Sequence, residues 1–189
     1  GIADIKEVNI MIYTTHYHSP IGNILLAEKN SELIGLWMEG QKYFLGSVQG
    51  EMLEKNDTAI FEQTRKWLDR YFAGEKPLAS ELRLAPVGSD FRRAVWQILC
   101  EIPYGETTTY GKIARTLAEK KGIQKMSAQA VGGAVGHNPI SIIIPCHRVV
   151  GANGSLTGYA GGIKKKVQLL TLEKADISSF FVPKKGTAL

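Results

Sequence analysis

Residues 130–150 read AVGGAVGHNPISIIIPCHRVV and combine a helix of small residues, an aliphatic run and a potentially reactive pair of side chains. The aliphatic run at 142–144 predicts a short buried strand that ends at Pro145. Cys146, His147 and Arg148 follow directly. A cysteine reacts as its thiolate, which a neighbouring imidazole or guanidinium favours. Cys146 is therefore either a nucleophile or a small buried packing residue, which is the common role of a free cysteine.

The segments before this stretch predict a pair of short helices. TTYGKIARTLAEK, residues 108–120, has a threonine cap before Tyr110, and SAQAVGGAVGHN, residues 127–138, begins with Ser127. Helix, short basic connection and helix is the outline of a helix-turn-helix. Gly132 and Gly133 weaken a helix relative to alanine. We therefore expect them to allow close approach of another backbone.

Further upstream, one more amphipathic helix is predicted, with Cys100 on it as a packing residue. Its apolar face would consist of Phe91, Val95, Ile98, Leu99 and Ile102.

The first half of the chain predicts a small antiparallel sheet and one helix. Residues 9–18, 21–29 and 32–39 are rich in strand-forming side chains and are divided by turn-like residues. Asp57 is the expected N-cap of a helix that runs to about Phe72. Residues 75–90 contain two prolines and read as a connection. The predicted fold is α/β, or α+β, with an N-terminal domain at 1–85 and a mostly helical C-terminal domain at 86–189.

Charge is divided unevenly between the two halves. Residues 1–90 hold 9 Lys and Arg against 13 Asp and Glu, a balance of −4, whereas residues 91–189 hold 14 against 5, a balance of +9. Such asymmetry is typical of a chain whose basic half meets a polyanion, although a solvated basic face would give the same count.

Composition narrows the class of protein. The 189 residues are 44% hydrophobic and 22% charged, as in ordinary globular proteins. No stretch approaches the run of roughly 18 apolar residues that spans a membrane. Residues 1–10 carry no apolar block of a secretory signal. With only two cysteines, at 100 and 146, we expect a cytoplasmic protein without a disulfide framework or a membrane partner.

Three kinds of site could use the adjacent cysteine and histidine. A zinc site would need further cysteines or spaced histidines, which the neighbouring sequence lacks. A cysteine hydrolase usually takes its histidine from a distant part of the chain. The third possibility joins the thiol to the basic half and the helix pair, as a nucleophile that acts on DNA.

Several motifs resemble a known family in the right order. PCHRV, preceded by AVGGAVGHNP and followed by GSLTGYAGG and LLTLE, is similar to the O6-alkylguanine-DNA alkyltransferases, also called methylated-DNA–protein-cysteine methyltransferases. The resemblance covers most of residues 91–175, and SPIGNILLA at 19–27 matches more loosely.

The resemblance implies roles for individual residues. Cys146 matches the alkyl acceptor, His147 the base that takes its proton through a water, and Glu173 the carboxylate that orients this histidine. Asn138 matches the residue that braces the turn, and Tyr110 the donor to the departing guanine. The implied pocket residues are Val149, Tyr159, Ala160 and Gly161. The expected DNA-contacting residues are Gln129, Ser127, Ala128, Gly132, Arg92 and Tyr110.

The implied activity is repair by self-alkylation. An alkyl group would move from O6-alkylguanine, and also from O4-alkylthymine, in double-stranded DNA to Cys146, once per molecule. The base must be flipped out of the duplex to be reached. The family's reaction needs no cofactor, and the zinc-binding cysteines of some members have no counterparts here, so no metal is expected. We expect a monomer.

One position departs from the family's pattern. Members often place an arginine in the second helix to fill the gap left by the flipped base, and the aligned residue here is Gln129. Glutamine lacks the charge and the planar stacking surface of arginine. Two alternatives are therefore retained: a lesion-binding protein with weak transfer activity, and a helix-turn-helix regulator in which Cys146 senses alkylating agents.

Overall fold

The computed structural model describes residues 11–46 and 48–183, so the expectation about residues 1–10 lies outside the described chain. The strands β1 (Ile12–Ser19), β2 (Gly22–Lys29) and β3 (Glu32–Met38) pair antiparallel, which confirms the predicted meander. A fourth strand, β4 (Met52–Glu54), was not predicted and pairs parallel to β1. The sheet is therefore mixed, in the order β3-β2-β1-β4. All three β4 residues are exposed, so no alternation of apolar residues reveals the strand.

Helix α1 (Ala59–Phe72) begins one residue later than predicted. Its N-cap is Thr58, whose hydroxyl oxygen accepts from the Phe61 N–H at 3.3 Å, so the expectation for Asp57 was wrong. The Thr58 hydroxyl also donates to Glu28 on β2 at 2.7 Å. One hydroxyl thus caps the helix and ties it to the sheet, a double role that the neighbouring carboxylate does not take. The buried residues of α1 are Ile60, Phe61, Thr64, Trp67, Leu68 and Tyr71.

The regular elements of the second half are mostly helices, as expected. It contains α2 (Asp90–Leu99), α3 (Tyr110–Lys121), α4 (Ala128–Gly136) and α5 (Ile163–Leu172). The predicted caps of α3 and α4 are confirmed, since the hydroxyls of Thr109 and Ser127 accept from the backbone N–H groups of the first turn. A short parallel pair, β5 (Thr108–Thr109) and β6 (Val149–Val150), connects the start of α3 to the chain after Cys146.

The aliphatic run before Cys146 is not a strand. Ile140 forms an isolated bridge with Leu36, after which residues 141–144 coil into a buried turn. Ile142 has φ of +72°, and the Ile144 N–H returns to the Ile140 carbonyl at 3.0 Å. Burial on every side produces the same unbroken apolar pattern in a turn as in a strand, and the pattern therefore misidentified the element.

The two halves meet along the edge of β3. Within the first half, the Leu33 N–H donates to the Arg83 carbonyl at 2.8 Å. Further along β3, the Leu36 N–H donates to the carbonyl of Pro139 in the second half at 2.9 Å. One buried apolar cluster takes residues from both halves, among them Leu36, Tyr71, Leu99 and Val135. The domain boundary at residue 85 stays a prediction. Across the described ranges, no helix has both the length and the apolar character to cross a membrane.

Candidate active site

The buried turn that leads to Cys146, residues 140–144, is held by the side chain of Asn138. Its amide nitrogen donates to the Ile144 carbonyl at 2.7 Å, and its oxygen accepts from the Ile140 N–H at 3.0 Å. Asn138 lies two residues beyond the end of α4. Because both ends of the amide are used inside the turn, a displacement of α4 would be transmitted to the segment that positions the cysteine.

Cys146 lies in a single 3₁₀ turn and its side chain is buried. Burial raises the pKa of the Cys146 thiol, while the side chains of Asn138 and Ser141 and the charge of Lys166 act in the opposite direction. The net direction is upward. The thiol is therefore protonated at rest near neutral pH and needs a base before it can act as a nucleophile.

Arg148 is not the activating cation that its position in the sequence suggested. Its Nε and Nη2 donate to the two oxygens of Glu173 at 2.8 and 3.1 Å, and its Nη1 donates to the Ile102 carbonyl at 2.6 Å. All three nitrogens are thus engaged away from the thiol. Arg148 instead neutralises a buried carboxylate, which would otherwise be strongly unfavourable.

Glu173 receives hydrogen bonds from four different residues. Its Oε2 accepts from the Tyr71 hydroxyl and from His147 Nε2, both at 2.5 Å, and its Oε1 accepts from the Gly105 N–H at 3.0 Å. Arg148 binds both oxygens. Burial alone would raise the pKa of Glu173, but the bonds and charges of His147 and Arg148 outweigh it and lower the pKa well below its usual range. Glu173 is therefore a carboxylate.

The bond to Glu173 determines the tautomer of His147. With Nε2 donating to the carboxylate, Nδ1 carries the free lone pair, and Nδ1 is buried without a hydrogen-bond partner among the described residues. Burial lowers the pKa of His147, against the opposing effect of Glu173. The imidazole is thus neutral at neutral pH and can accept a proton at Nδ1, while Glu173 stabilises the imidazolium that forms.

Lys166 also belongs to the site and was missed. Its side chain is fully buried, and Nζ donates to the carbonyls of Val149 and Thr157 at 2.6 and 2.9 Å. Burial lowers the pKa of Lys166 to about 8, and Cys146 is the group whose charge acts the other way. In the sequence Lys166 stands in a run of three lysines, which is typical of a solvated face. The signal that could have found it is its spacing from the buried Leu169, Leu170 and Glu173 on one face of a helix.

Two of the expected pocket residues are buried. Val149 is fully buried, and the buried Tyr159 ring lies 6.4 Å from the His147 ring, edge on. The Tyr110 hydroxyl donates to the Thr157 carbonyl at 3.4 Å. Burial first, and the charge of Cys146 second, raise the pKa of both Tyr110 and Tyr159, so both hydroxyls remain protonated donors.

The other two expected pocket residues lie against the N-terminal half. Ala160 and Gly161 are partly exposed there, and the Ala160 carbonyl accepts from the Lys42 N–H at 2.9 Å.

The expected DNA-contacting residues do not share one environment. Ser127, Ala128 and Gln129 are exposed at the start of α4, Arg92 is partly buried, and Gly132 is buried. The expectation that Gly133 permits close approach of another backbone was wrong for the described chain, because a Cβ added there would meet no atom within 4 Å.

Within residues 11–46 and 48–183, no group of three or more His, Cys, Asp or Glu side chains is arranged to hold a metal ion. The second cysteine, Cys100, is partly buried, and burial raises the pKa of its thiol to about 11. A packing role fits this surrounding better than a reactive one.

Comparison with known proteins matches both halves of the chain. A family model described as 6-O-methylguanine DNA methyltransferase, DNA binding domain, matches residues 90–175, and one described as 6-O-methylguanine DNA methyltransferase, ribonuclease-like domain, matches residues 12–86. A methylated-DNA–protein-cysteine methyltransferase of Haemophilus influenzae is 40% identical over 163 residues, which cover 86% of this chain and 87% of the relative. One from Methanosarcina acetivorans is 44% identical over 164 residues, covering 86% and 98%.

A solved structure is also similar. The Mycobacterium tuberculosis protein OGT, crystallised in complex with DNA, is 42% identical, with a TM-score of 0.74 and coverage of 87% of this chain and 96% of that one. The motifs, the arrangement around Cys146 and these similarities lead to one conclusion: the chain belongs to the 6-O-methylguanine DNA methyltransferase family.

Proposed function

We propose that this protein repairs O6-alkylguanine, and O4-alkylthymine, in double-stranded DNA by moving the alkyl group to Cys146 once per molecule. The observation that carries the proposal is the hydrogen bond between His147 Nε2 and Glu173, because it leaves Nδ1 as the basic nitrogen directly beside the cysteine in the chain. A nucleophile, its base and an orienting carboxylate are the parts that covalent catalysis by a thiol requires.

The reaction is a displacement at the alkyl carbon. His147 Nδ1 accepts the thiol proton through a bridging water, and Sγ of Cys146 forms a bond to the carbon as the bond from that carbon to guanine O6 breaks. The electron pair of the broken bond stays with the guanine, which regains one proton for the one that the thiol loses. Tyr110, held as a neutral donor by burial, would exchange its 3.4 Å hydrogen bond to the Thr157 carbonyl for one to the base, where it meets the negative charge that develops.

The product explains why each molecule would act once. A thioether on Cys146 has no free thiol, and its carbon–sulfur bond is not readily hydrolysed. The alkylated protein is therefore the end product.

The DNA surface is proposed to be the exposed start of α4 together with the basic residues of the second half. The target atom is buried in duplex DNA, so the base must be extruded into the pocket. The exposure of Ser127, Ala128 and Gln129 at the start of α4 supports this proposal. Arg92, Gly132 and Tyr110 are retained as the remaining contacts. The helix pair α3 and α4 would then work as a helix-turn-helix.

We also propose a monomer in the cytoplasm. The proposed reaction involves a single set of residues from one chain, and it needs Cys146 as a reduced thiol. Neither cysteine takes part in a disulfide, as suits a reducing compartment.

The decisive experiment measures the mass of the protein after it meets the lesion. Wild-type protein mixed with a duplex that contains one O6-methylguanine should gain a single methyl group, located at Cys146 by peptide mapping. Cys146→Ser should gain none, and Cys100→Ser, the matched control at the other cysteine, should react as the wild type does. Turnover of several lesions by one molecule would contradict the single-use mechanism.

The lesion-binding alternative is tested by the same mixture. It is favoured by Gln129, which replaces the arginine expected at that position. Tight binding of the methylated duplex with an unchanged protein mass would support it against alkyl transfer.

A further inference from the structure

Tyr71 belongs to the N-terminal half, yet its hydroxyl reaches the centre of the candidate site. It lies near the end of α1, is fully buried, and donates to Glu173 Oε2 at 2.5 Å across 102 positions of sequence. The ring is confined by neighbours, stacked on Trp67 at 5.6 Å and edge-on to Tyr104 at 5.8 Å. The position of the hydroxyl is therefore set by packing that is independent of Glu173.

A buried tyrosine commonly finds a hydrogen-bond acceptor, so the bond alone could be incidental. The choice of oxygen indicates otherwise. Tyr71 and His147 donate to the same atom, Oε2, which also accepts from Arg148 Nη2 at 3.1 Å, while Oε1 accepts from Arg148 Nε and the Gly105 N–H. Each further donor to a carboxylate oxygen withdraws part of the negative charge that this oxygen offers to its other partners.

We propose that Tyr71 is a positioning residue for the relay, whose hydroxyl weakens the hold of Glu173 Oε2 on His147 and thereby keeps the imidazole available as a base. The inference rests on the proposed alkyl transfer for its functional meaning. It also gives the N-terminal half a part in the chemistry, because the donor reaches the relay from α1.

The charges around Glu173 determine how loss of the Tyr71 hydroxyl would shift the pKa of His147. Burial, together with the charge of Glu173, raises the pKa of Tyr71 well above its usual range, so the hydroxyl stays a donor. Without it, Oε2 would carry more charge toward His147 and favour the imidazolium. The pKa of His147, which burial lowers, would then rise. The other titratable or charged groups that act on Tyr71, Glu173 or His147 are Arg148, Lys166, Tyr104 and Tyr159. Cys146 is the chain neighbour of His147.

The test replaces Tyr71 by phenylalanine, which keeps the ring and removes the hydroxyl. The rate constant of methyl transfer is measured at saturating O6-methylguanine duplex across the pH range. We expect the midpoint of the acid limb to move up by about half a pH unit, which lowers the rate about threefold below the midpoint. Above the midpoint the two profiles should converge to within about twofold.

Tyr17→Phe is the matched control. Tyr17 also donates its hydroxyl to a carboxylate, that of Asp69 on α1, at 2.6 Å, but on the exposed side of the N-terminal half. The pH profile of methyl transfer by Tyr17→Phe should coincide with that of the wild type. The affinity for the duplex should be unchanged in both variants.

A second measurement does not depend on activity. The imidazole nitrogens of His147 are titrated by NMR in the free protein, with the resonances assigned by comparison with His147→Gln. A higher pKa of His147 in Tyr71→Phe than in the wild type supports the inference. A uniform loss of rate at every pH with an unmoved His147 titration would show that Tyr71 only packs, and an unaltered profile would overturn the inference as well. If the wild type transfers no methyl group, the proposed function fails, and the titration still decides whether Tyr71 acts on His147.

Discussion

Glu173 and Gln129 are both polar side chains on which the proposed reaction depends, but the fold treats them in opposite ways. Glu173 is enclosed and receives donors from Tyr71, Gly105, His147 and Arg148. Gln129 is exposed on the first turn of α4. The protein alone determines what Glu173 can do, whereas Gln129 acquires a role only when DNA is present. Chemistry and base extrusion should therefore be separable by mutation.

The largest effect is expected at the enclosed carboxylate. Glu173→Gln leaves Arg148 buried without a countercharge and gives His147 an acceptor with no charge to stabilise the imidazolium. We expect methyl transfer to slow by about a hundredfold, near the lower end of what a general base contributes. The unpaired guanidinium should lower the free energy of unfolding by about 3 kcal/mol. Single-turnover kinetics and chemical denaturation measure the two effects.

Two controls sharpen this prediction. Glu101→Gln removes a carboxylate that pairs with Lys120 at 3.7 Å on the surface. It should measurably change neither the rate of methyl transfer nor the free energy of unfolding. Arg148→Met combined with Glu173→Gln should recover part of the lost stability but none of the lost rate. Transfer at the wild-type rate in Glu173→Gln would remove Glu173 from the relay.

The exposed surface should respond to salt, and the enclosed site should not. The balance of +9 in residues 91–189 predicts phosphate contacts, which release counterions when they form. We expect duplex affinity to fall at least about tenfold between roughly 50 and 200 mM salt. Glu173→Gln should show the same dependence as the wild type in a fluorescence anisotropy titration. A duplex affinity that does not change with salt would contradict the proposed phosphate contacts. A different salt dependence in Glu173→Gln would show that the carboxylate also affects DNA binding.

The same contrast explains what the sequence could predict. The strands of the meander, the caps Thr109 and Ser127, and the family motifs around Cys146 are local patterns, and local patterns predicted them. Glu173 was placed beside His147 only through the resemblance, because nothing in the intervening residues fixes that distance. Gln129 could be aligned with an arginine, but its exposure follows from the packing of α4.

The missed features depend on contacts between remote segments. Tyr71 reads as one more apolar residue of an amphipathic helix, since its partner is 102 positions away. Lys166 reads as a surface lysine, although it is fully buried. The run at 142–144 reads as a strand because burial from all sides removes the periodicity that separates a strand from a turn. The hydrophobic pattern of a sequence indicates which residues are buried. It does not identify the residue that each buried side chain contacts.

A smaller effect is expected at Lys166, which is buried in the site but is not part of the Glu173 relay. Burial lowers the pKa of Lys166 to about 8, so its charge is present below that pH and is lost above it. Lys166→Met should slow methyl transfer about tenfold at pH 7, because one opposite charge near a thiol shifts its ionisation by about one unit. The deficit should shrink as pH rises through about 8, when the wild type also loses the charge.

Lys165→Met is the control for Lys166→Met. Lys165 is the preceding residue of the same lysine run, and its Nζ lies 3.4 Å from the Glu39 carbonyl near the surface. The Lys165→Met protein should transfer methyl groups at the wild-type rate at every pH. A deficit in Lys166→Met that is constant across pH would mean that the lysine only holds the carbonyls of Val149 and Thr157.

The smallest effect is expected at the exposed position, where it tests extrusion alone. Unstacking and unpairing a guanine costs a few kcal/mol, and an inserted arginine can offset part of this by stacking and charge where glutamine offers mainly amide hydrogen bonds. Gln129→Arg should therefore speed repair of O6-methylguanine in duplex DNA by about threefold, equivalent to roughly 0.7 kcal/mol of the extrusion cost. The free base O6-benzylguanine needs no extrusion, so its reaction with Cys146 should be unchanged. Gln129→Ala, the matched control, should slow duplex repair without affecting the free base. An equal gain on both substrates would place the effect of Gln129 in the chemistry, and no gain on the duplex would show that extrusion does not limit the rate.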